Sequence, residues 1–328
     1  MKDVLNELEK KRKSLGIAIP FEWREMAGVQ EWFGNELTYS SNAIEGNTLT
    51  REETALVVGK GLTVEGKTIR EHLEAVNHGR AYEWVLEQVR NGEEVSEEMM
   101  LQLHEIILRG INDEYAGRYR TGMVRIAGSR VVMPNAQKIP KLMQELVEWI
   151  EGDGGMSPVE RAIEMHLRLV SIHPYVDGNG RVARLIMNLL LMQAGYPPAI
   201  VEKKERRSYL SALEKIQLGG GGGDYQALMY KAVGRSIEIC LEAQGKKQNV
   251  QKLAKQHLLK IGELAKLTGE TVPTIRHYTK EKLLEVAEYS PGGYQLYAQD
   301  NVERVRKIKD LQRSKRLTLA EIRKTIFS

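Results

Sequence analysis

One stretch of twelve residues constrains this chain more than any other part of it: His173-Pro174-Tyr175-Val176-Asp177-Gly178-Asn179-Gly180-Arg181-Val182-Ala183-Arg184. Before it, apolar residues recur at helical spacing, at Ile163, Leu167 and Val170. After it, residues 185–192 are almost wholly apolar and numerous enough for a buried helix. The pattern predicts a helix, a glycine-containing loop and a second helix.

The residues of this loop are typical of an anion-binding site. Gly178 and Gly180 let backbone N–H groups turn toward one point, where the following helix offers its free N–H groups and the positive end of its dipole. Arg181 and Arg184 are three residues apart and project from about the same helix face. The two guanidinium groups can therefore clamp phosphate oxygens.

Asp177 and His173 add the groups that phosphoryl or nucleotidyl transfer requires. Mg²⁺ usually binds through one or two carboxylates together with substrate phosphates, which suits Asp177 at the entrance of the loop. The ordinary pKa of histidine suits proton transfer near neutral pH, so we expect His173 to deprotonate an acceptor. A histidine before a proline, or one Gly-x-Gly, is more often structural. The combination of histidine, aspartate, glycines and arginines in this order favours a catalytic site.

The stretch resembles the signature of the Fic (Fic/Doc) proteins, HxFx[D/E]GNGRxxR, with Tyr175 in place of the usual phenylalanine. The related Doc branch, which is kinase-like, carries lysine at the position of Gly180. Most members with glycine there transfer AMP from ATP to a protein hydroxyl. The resemblance implies His173 as general base and Asp177 as the Mg²⁺ ligand. It implies nucleotide binding by Gly178, Asn179, Gly180, Arg181 and Arg184.

A later tyrosine, Tyr209, lies in a segment that predicts another helix, residues 205–213. By the same resemblance this side chain packs against the adenine ring. The alternative is a tyrosine on the helix surface. Five consecutive glycines follow at 219–223, which predict a loop and lack the lysine and hydroxyl of a phosphate loop.

Residues 38–50 carry a second motif upstream of the signature. Read alone, they predict a helix that ends at a glycine near Gly46. A new helix then begins at Thr50, which forms a capping box with Glu53.

The same residues resemble the Fic inhibitory motif, [S/T]xxxE[G/N], at Ser41, Glu45 and Gly46. In that family the glutamate pairs with the second arginine of the signature, which implies a Glu45–Arg184 pair here. A carboxylate in the guanidinium fork competes with the γ-phosphate of ATP. The resemblance therefore implies an autoinhibited enzyme.

Short β-type runs on either side of Gly128-Ser129 predict a hairpin. A hairpin in a helical protein offers an unpaired edge onto which a partner's extended segment can add. In Fic proteins a similar flap aligns the target hydroxyl with the histidine, which implies that Ile126, Gly128 and Ser129 dock the target. The alternative is a purely structural hairpin.

The charge of the chain is unevenly distributed. Of its 48 basic and 44 acidic residues, 18 basic and 9 acidic ones follow residue 245, which leaves 30 basic and 35 acidic residues before that point. A basic tail on an acidic body indicates a nucleic-acid contact at one end. A solvated basic surface is the alternative.

The sequence pattern of this basic tail predicts a helix-turn-helix. Residues 261–269 predict a short helix closed by glycine, and residues 271–278 predict a second helix with a threonine cap and a proline in the first turn. Residues 289–297 predict a wing hairpin, and a basic helix follows over 301–315.

The tail resembles the MerR-type winged helix-turn-helix domain. That resemblance implies DNA contacts by Thr274, Arg276, Tyr278 and Tyr294. Gln295 replaces the arginine common in that wing, which predicts weaker backbone contacts. Single modules of this kind read half-sites, so stable binding would need a homodimer. A winged helix used for protein contact is the alternative.

Composition limits the remaining choices. The chain has 328 residues, 42% of them hydrophobic and 28% charged, which is typical of a globular protein of two or three domains. Its one cysteine, Cys240, excludes an internal disulfide and favours a reducing, cytoplasmic setting. The N-terminus has no signal-type apolar stretch. The longest uncharged run, residues 185–201, contains two prolines and polar residues, so we expect no membrane span.

We therefore predict a mainly α protein with a Fic helical core and a β-hairpin flap. The predicted organisation is an N-terminal helical region with the inhibitory helix (1–95), a catalytic core (96–245), a linker (246–257) and a small winged helix-turn-helix domain (258–328). The predicted function is autoinhibited transfer of AMP from Mg-ATP to a hydroxyl of a protein target or of the chain itself. The alternative is a DNA-binding regulator whose core senses nucleotide or removes AMP.

Overall fold

A computed structural model describes residues 2–23, 26–152, 154–256, 258–289, 294–315, 317–319 and 321–323. The fold is mainly helical, as predicted. The chain divides into two compact units, Met1–Ala243 and Gln244–Ser328. No helix among the described residues is long and apolar enough to cross a membrane.

The described helices that begin in the first unit follow one another from α1 to α10. They are α1 Lys2–Ser14, α2 Ala27–Glu45, α3 Arg51–Lys60, α4 Ile69–Asn91, α5 Glu97–Leu108, α6 Ile139–Glu151, α7 Pro158–Ile172, α8 Asn179–Gln193, α9 Arg206–Gln217 and α10 Gly223–Gln256. Short 3₁₀ turns precede α6 and α9, at Ala136–Lys138 and Lys203–Glu205.

The helix–loop–helix predicted around the signature is confirmed. Helix α7 begins at Ser157, which forms a capping box with Glu160, and Pro158 occupies its first turn, where no N–H partner is needed. It ends at His173, whose backbone is left-handed (φ 51°, ψ 58°). Helix α8 begins after Gly178, which is also left-handed (φ 80°). Both turns of the chain therefore lie within six residues and create the loop.

The ends of α2 and α3 match the sequence prediction. Gly46 caps α2 in the left-handed conformation (φ 105°), and its N–H is donated to the carbonyl of Ala43. The side chain of Thr50 accepts the N–H of Glu53, and the Glu53 side chain accepts the N–H of Thr50. These caps fix the position of Glu45, the last residue of α2.

Helix α8 lies at the centre of the first unit's core. Most of its side chains are buried, including Leu185, Ile186 and Leu189 at 1% exposure or less. Helix α7 packs along it, and α2, α4 and α5 contact it from other sides. The loop before α8 therefore rests on a close-packed apolar core, and this packing restricts its movement.

The flap differs from its prediction. A turn is present at Ala127-Gly128, closed by a hydrogen bond from the Ser129 N–H to the Ile126 carbonyl (3.1 Å), but the described residues 121–135 form no strand. The expected β-hairpin is wrong because the arms do not pair with each other. The carboxylate of Glu214 on α9 accepts the Arg130 N–H at 2.9 Å instead.

Helix α10 extends through most of the predicted linker. The predicted linker 246–257 is helical through Gln256, and His257 lies outside the described residues. Gly245 does not interrupt the helix, since one glycine costs only about 1 kcal/mol and its neighbours are good helix formers. Four of the five glycines, Gly219 to Gly222, lie in the connection from α9, and Gly223 begins α10.

The second unit contains a three-stranded sheet and, over the described residues of 258–315, three helices. They are β1 Leu259–Lys260, α11 Ile261–Thr268, α12 Val272–Lys280, β2 Glu288–Tyr289, β3 Gln295–Tyr297 and α13 Asp300–Lys315. The antiparallel order is β1-β3-β2, with Leu259 opposite Tyr297 and Glu288 opposite Leu296. The tip of the predicted wing, residues 290–293, lies outside the described residues.

We expect Ser157→Ala to lower the free energy of unfolding of the first unit by about 1 kcal/mol, because it removes the N-cap of α7. Urea unfolding followed by tryptophan fluorescence measures this, since Trp23, Trp32, Trp84 and Trp149 all belong to that unit. The matched control is Ser208→Ala on α9, an exposed serine inside a helix, which should not destabilise. Equal destabilisation by both variants would contradict the capping role.

Candidate active site

The loop between α7 and α8 is held by its own side chains. Asn179 accepts the N–H of Tyr175 through Oδ1 and donates Nδ2–H to the Tyr175 carbonyl, both at 2.9 Å. Its side chain is buried. These two bonds show that the Asn179 amide closes the loop. Asn179 also lines the cavity, and its predicted contact with the nucleotide stays a prediction.

The aromatic position of the signature has a clear packing role. The ring of Tyr175 is fully buried and stacks on His104 of α5, with ring centroids 3.8 Å apart. Its hydroxyl is donated to the Met100 carbonyl at 3.1 Å, a bond that phenylalanine cannot make. His104 accepts the Gly117 N–H through Nδ1, so its Nε2–H is donated to the Asp177 carbonyl at 3.0 Å. Helix α5 thus fixes the loop from below.

His173 lines a cavity of about 450 Å³ together with the residues of the loop. Burial lowers the pKa of the imidazole, and the nearby charge of Arg120 acts in the same direction, while the Val170 carbonyl opposes the shift. The neutral form is therefore favoured near pH 7. A neutral imidazole is the form that can accept a proton from a hydroxyl.

Asp177 is engaged by two arginines. Its Oδ2 accepts from Arg70 of α4 at 2.8 Å, and its Oδ1 accepts from Arg181 at 3.0 Å and from the Gly178 N–H at 2.6 Å. Burial acts to raise the pKa of this carboxyl, but these donors more than offset it, so the pKa lies below its usual value. The carboxylate is ionised and lines the cavity.

Arg181 does not point into the cavity. Its side chain is 2% exposed, its Nη2 binds Asp177, and its Nη1 lies 3.7 Å from Glu74 of α4. Its Nε and Nη1 have no hydrogen-bond partner within the part of the chain that the structure describes. The structure therefore separates the two arginines that the sequence prediction grouped, and only Arg184 lines the cavity.

Arg184 is buried and binds three residues. Its Nη2 donates to Glu45 Oε1 at 2.6 Å and to the Ser41 carbonyl at 3.1 Å, and its Nε donates to the Ser41 hydroxyl at 3.0 Å. Its Nη1 lies 3.5 Å from the Tyr209 hydroxyl. The structure thus brings together the Glu45 and Arg184 side chains that the inhibitory motif paired. Gly46 follows as the cap of α2.

Tyr209 is the first member of a buried hydrogen-bond chain. Tyr225 donates to the Ile163 carbonyl (3.1 Å), so its oxygen accepts from Nδ1 of His166 (2.7 Å). Nε2 of His166 then accepts from the Tyr209 hydroxyl (2.8 Å), whose oxygen faces Arg184. Tyr209 is only 1% exposed. The structure gives its hydroxyl the role of supporting Arg184, and its burial excludes the alternative of a tyrosine on the helix surface. The side chain also lines the cavity, and its contact with adenine stays a prediction.

Gly180 makes the Glu45–Arg184 contact possible. A Cβ on this residue would overlap the Glu45 carboxylate and lie 2.9 Å from Nη1 of Arg184. Any larger residue at 180 must therefore displace one of the two charged groups. This is a packing reason for glycine, separate from its backbone freedom.

The flap closes one side of the cavity. Ile126, Gly128 and Ser129 line the same cavity as His173. The Ser129 hydroxyl and the Arg130 N–H both donate to Oε1 of Glu214, at 3.0 and 2.9 Å. The predicted docking residues are therefore brought to the predicted base, and Glu214 holds the tip of the flap against α9.

The four residues assigned to DNA are not equally accessible. Arg276 is exposed on α12, and Tyr294 is 67% exposed. The hydroxyl of Thr274, on the first turn of that helix, pairs with Thr271 at 2.8 Å. Tyr278 is a core residue with 4% exposure that donates to Gln312, which corrects its assignment to a DNA contact.

Sequence reasoning missed several side chains that hold this site: Arg70, Arg120, His166 and Glu214. Each acts through a contact that is distant in sequence; 107 residues separate Arg70 from Asp177, and 85 separate Ser129 from Glu214. Only His166 carried a signal, since it is a polar residue three positions after Ile163 on the apolar face of a predicted helix.

Comparison with known protein families follows the same division into two units. Residues 94–191 match the model of the Fic/DOC family. Residues 259–326 match the model of the MerR HTH family regulatory proteins. The chain therefore contains a Fic domain and, after it, a MerR-like helix-turn-helix segment.

The chain is similar to two curated adenylyltransferases. It is 34% identical to protein adenylyltransferase fic-1 of Caenorhabditis elegans over 185 residues, which is 55% of this chain and 36% of the relative. It is 37% identical to protein adenylyltransferase Fic of Drosophila virilis over 183 residues, 55% of this chain and 37% of the relative. The matches thus span little more than a third of these relatives.

A solved structure supports the fold. The structure of Fic-1, residues 134–508, from C. elegans has a TM-score of 0.66 to this chain at 27% identity, covering 75% of this chain and 73% of that one. The described residues contain no cluster of three or more histidine, cysteine or acidic side chains that would by itself hold a metal ion. A metal at Asp177 would therefore have few protein ligands.

Three buried histidines make folding sensitive to acid. Burial lowers the pKa of His78 to about 3, of His104 to about 4 and of His166 to about 3, from an ordinary value of 6.5. The unfolded chain binds these protons first as the pH falls through 6.5. The free energy of unfolding must therefore decrease between pH 6.5 and about 4, by up to about 1.4 kcal/mol per pH unit for each histidine.

We expect His78→Gln to reduce this slope by up to about 1.4 kcal/mol per pH unit, since one proton is no longer taken up on unfolding. Urea unfolding at several pH values between 5 and 7 measures it, above the range where carboxylates titrate. Identical slopes for wild type and His78→Gln would contradict the buried, neutral state of this residue.

Proposed function

We propose that the first unit is a protein adenylyltransferase that moves AMP from ATP to a hydroxyl side chain of a protein or of the chain itself. One observation supports this most directly: His173, the anion loop, Arg184 and the flap all line one cavity of about 450 Å³. The similarity to two curated adenylyltransferases points to the same reaction.

The proposed reaction needs a base, a phosphate cradle and a docked hydroxyl. The neutral imidazole of His173 accepts the proton of the target hydroxyl, and the resulting oxygen attacks the α-phosphorus of ATP. The bond from that phosphorus to the bridging oxygen breaks, and pyrophosphate leaves. The N–H groups at the start of α8 stabilise the charge on the phosphates.

The acidic side chain of Asp177 suits Mg²⁺. It is ionised, lines the cavity and can act as the one carboxylate that Mg²⁺ commonly takes from a protein beside substrate phosphates. The ion would neutralise phosphate charge when bound. Arg70 occupies Oδ2 of this carboxylate and is 60% exposed, so its pair is weak enough to yield.

We propose that Glu45 inhibits the enzyme. Its carboxylate binds Nη2 of Arg184 at 2.6 Å, so the guanidinium fork is occupied on the side of the cavity. An incoming phosphate group must displace it, since both are anions that need the same donors. Inhibition by competition for one arginine follows from this arrangement.

Hydrolytic removal of AMP has its own supporting observation. Glu45 lines the same cavity as His173, so its carboxylate can orient a water whose attack releases AMP and restores the hydroxyl. Removal of AMP from a modified protein, with Glu45 taking part, is the second candidate. Release of labelled AMP from modified protein by the wild-type chain, but not by Glu45→Gly, would favour it.

We expect Glu45→Gly to raise AMP transfer about ten- to one-hundred-fold, because a hydrogen bond to a charged group is worth about 1.5–3 kcal/mol. The measurement is incubation of the variant with Mg²⁺ and ATP labelled at the α- or the γ-phosphate. Label on protein from the α-position alone means AMP transfer, and label from the γ-position alone means a kinase.

Two controls complete this experiment. His173→Ala in the Glu45→Gly protein should abolish transfer. Glu31→Gly, at an exposed position of the same helix α2, should leave transfer at the wild-type rate. Transfer by Glu45→Gly no faster than by wild type would remove the inhibitory role. No label from either position would favour a regulator over an enzyme.

We propose that the second unit binds DNA. The match of residues 259–326 to MerR HTH regulatory proteins supports this, as does the geometry of α11 and α12. Arg276 is exposed on α12, the second helix of the motif, which in this class lies in the major groove. Binding as a homodimer would match paired half-sites. The buried single cysteine fits a reducing, cytoplasmic location.

We expect Arg276→Ala to weaken DNA binding and to reduce the slope of log affinity against log salt by about 1, because one phosphate contact is lost. Mobility-shift titrations on duplex DNA at several salt concentrations measure both. Arg207→Ala, an exposed arginine of α9 in the first unit, is the control. Deleting residues 258–328 should abolish binding and leave AMP transfer intact. Binding that survives the deletion would contradict the assignment.

A further inference from the structure

Arg120 is a buried arginine at the base of the flap, with 2% exposure. Its Nε donates to the carbonyl of His173 at 2.8 Å. Its Nη1 donates to the Gly122 carbonyl at 2.8 Å, and its Nη2 donates to the Pro134 carbonyl at 2.7 Å. Its backbone N–H is donated to the Pro174 carbonyl at 2.9 Å. One residue thus binds the turn after α7 and both ends of the flap.

Hydrogen bonds to the backbone surround the charge of this guanidinium. Among the described residues no carboxylate lies within ion-pair distance of Arg120, and its burial lowers the pKa of the group. A buried charge is tolerated only where its hydrogen-bonding groups are satisfied. Here three backbone carbonyls satisfy it, so the arginine and these backbone segments depend on one another.

The residue that Arg120 binds after α7, His173, has a strained backbone. The backbone of His173 is left-handed, a conformation that residues other than glycine adopt only when their surroundings enforce it. The bonds of Arg120 to the carbonyls of His173 and Pro174 are such a restraint. They hold the two successive peptide planes that follow the turn at His173.

The flap also depends on this residue. In the described part of the chain the segment 121–135 has no strand ladder, and its tip is held by Glu214. Its two ends meet at Arg120 through Gly122 and Pro134. Only the planar guanidinium presents donors at fixed, divergent directions to several acceptors; the ammonium of lysine cannot reproduce that fork.

We propose that Arg120 is a positioning residue for AMP transfer, which holds the backbone of His173 and both ends of the flap in one fixed arrangement. It rests on the proposed function, in which the flap docks the target hydroxyl against His173. Base and target are thereby aligned through a single side chain that touches neither the nucleotide nor the target.

The test uses the full chain in the Glu45→Gly background. Arg120→Met should lower kcat for transfer about one-hundred-fold, the effect of a misplacement of about 1 Å in an active site, without changing the affinity for ATP, because the phosphate cradle is made by other residues. The matched control is Arg118→Met, two residues away and exposed, which should transfer at the parent rate.

Chemical rescue separates positioning from general damage. Ethylguanidinium should restore part of the kcat of Arg120→Ala, and ethylammonium at the same concentration should not, since only the planar group fits the three carbonyls. Arg120→Lys should fold, keep its charge and still lose most of the kcat. A folded Arg120→Lys or Arg120→Met protein with the parent's kcat overturns the proposal.

Limited proteolysis tests the tether without any transfer reaction. Trypsin should cut Arg120→Met after Arg125 and Arg130 of the flap about tenfold faster than the parent, because an untethered flap opens more often. If the Glu45→Gly parent transfers no label, the proposed function fails. The rate of proteolysis alone then decides whether Arg120 tethers the flap. A flap that is cut no faster in Arg120→Met than in the parent overturns the proposed tether.

Discussion

The buried charge of Arg184 is the constraint on which the rest of the active site depends. A guanidinium in an apolar core requires partners on every side. Ser41 and Glu45 supply them from α2, and Tyr209 approaches from α9. Helix α2 is thus fixed against α8 by polar contacts as well as by packing. Helix α2 therefore carries two of the residues that this guanidinium requires.

The hydrogen-bond chain behind Arg184 extends this constraint into α7 and α10. Each group in it can donate in only one direction, from Arg184 through Tyr209, His166 and Tyr225 to the Ile163 carbonyl. Burial keeps His166 neutral, so the direction does not reverse near neutral pH. A rigid, fully directed network is suited to holding a charged group at one angle.

Much of this molecule was predictable from local pattern. The caps of α2, α3 and the helices around the signature depend on residues within a few positions of one another, and those predictions are confirmed. The failures share a cause. The Arg130 N–H of the flap is donated to Glu214, Arg181 contacts Glu74, and Tyr278 is buried in a small core. Local spacing does not contain such distant contacts.

Gly180 lies in the first turn of α8 and also leaves the space in which Glu45 contacts Arg184. A single methyl group there would act as a wedge between carboxylate and guanidinium. The contact between the two charged groups thus requires the absence of a side chain at position 180. A substitution at position 180 therefore changes the first turn of α8 and its ion pair with α2 together.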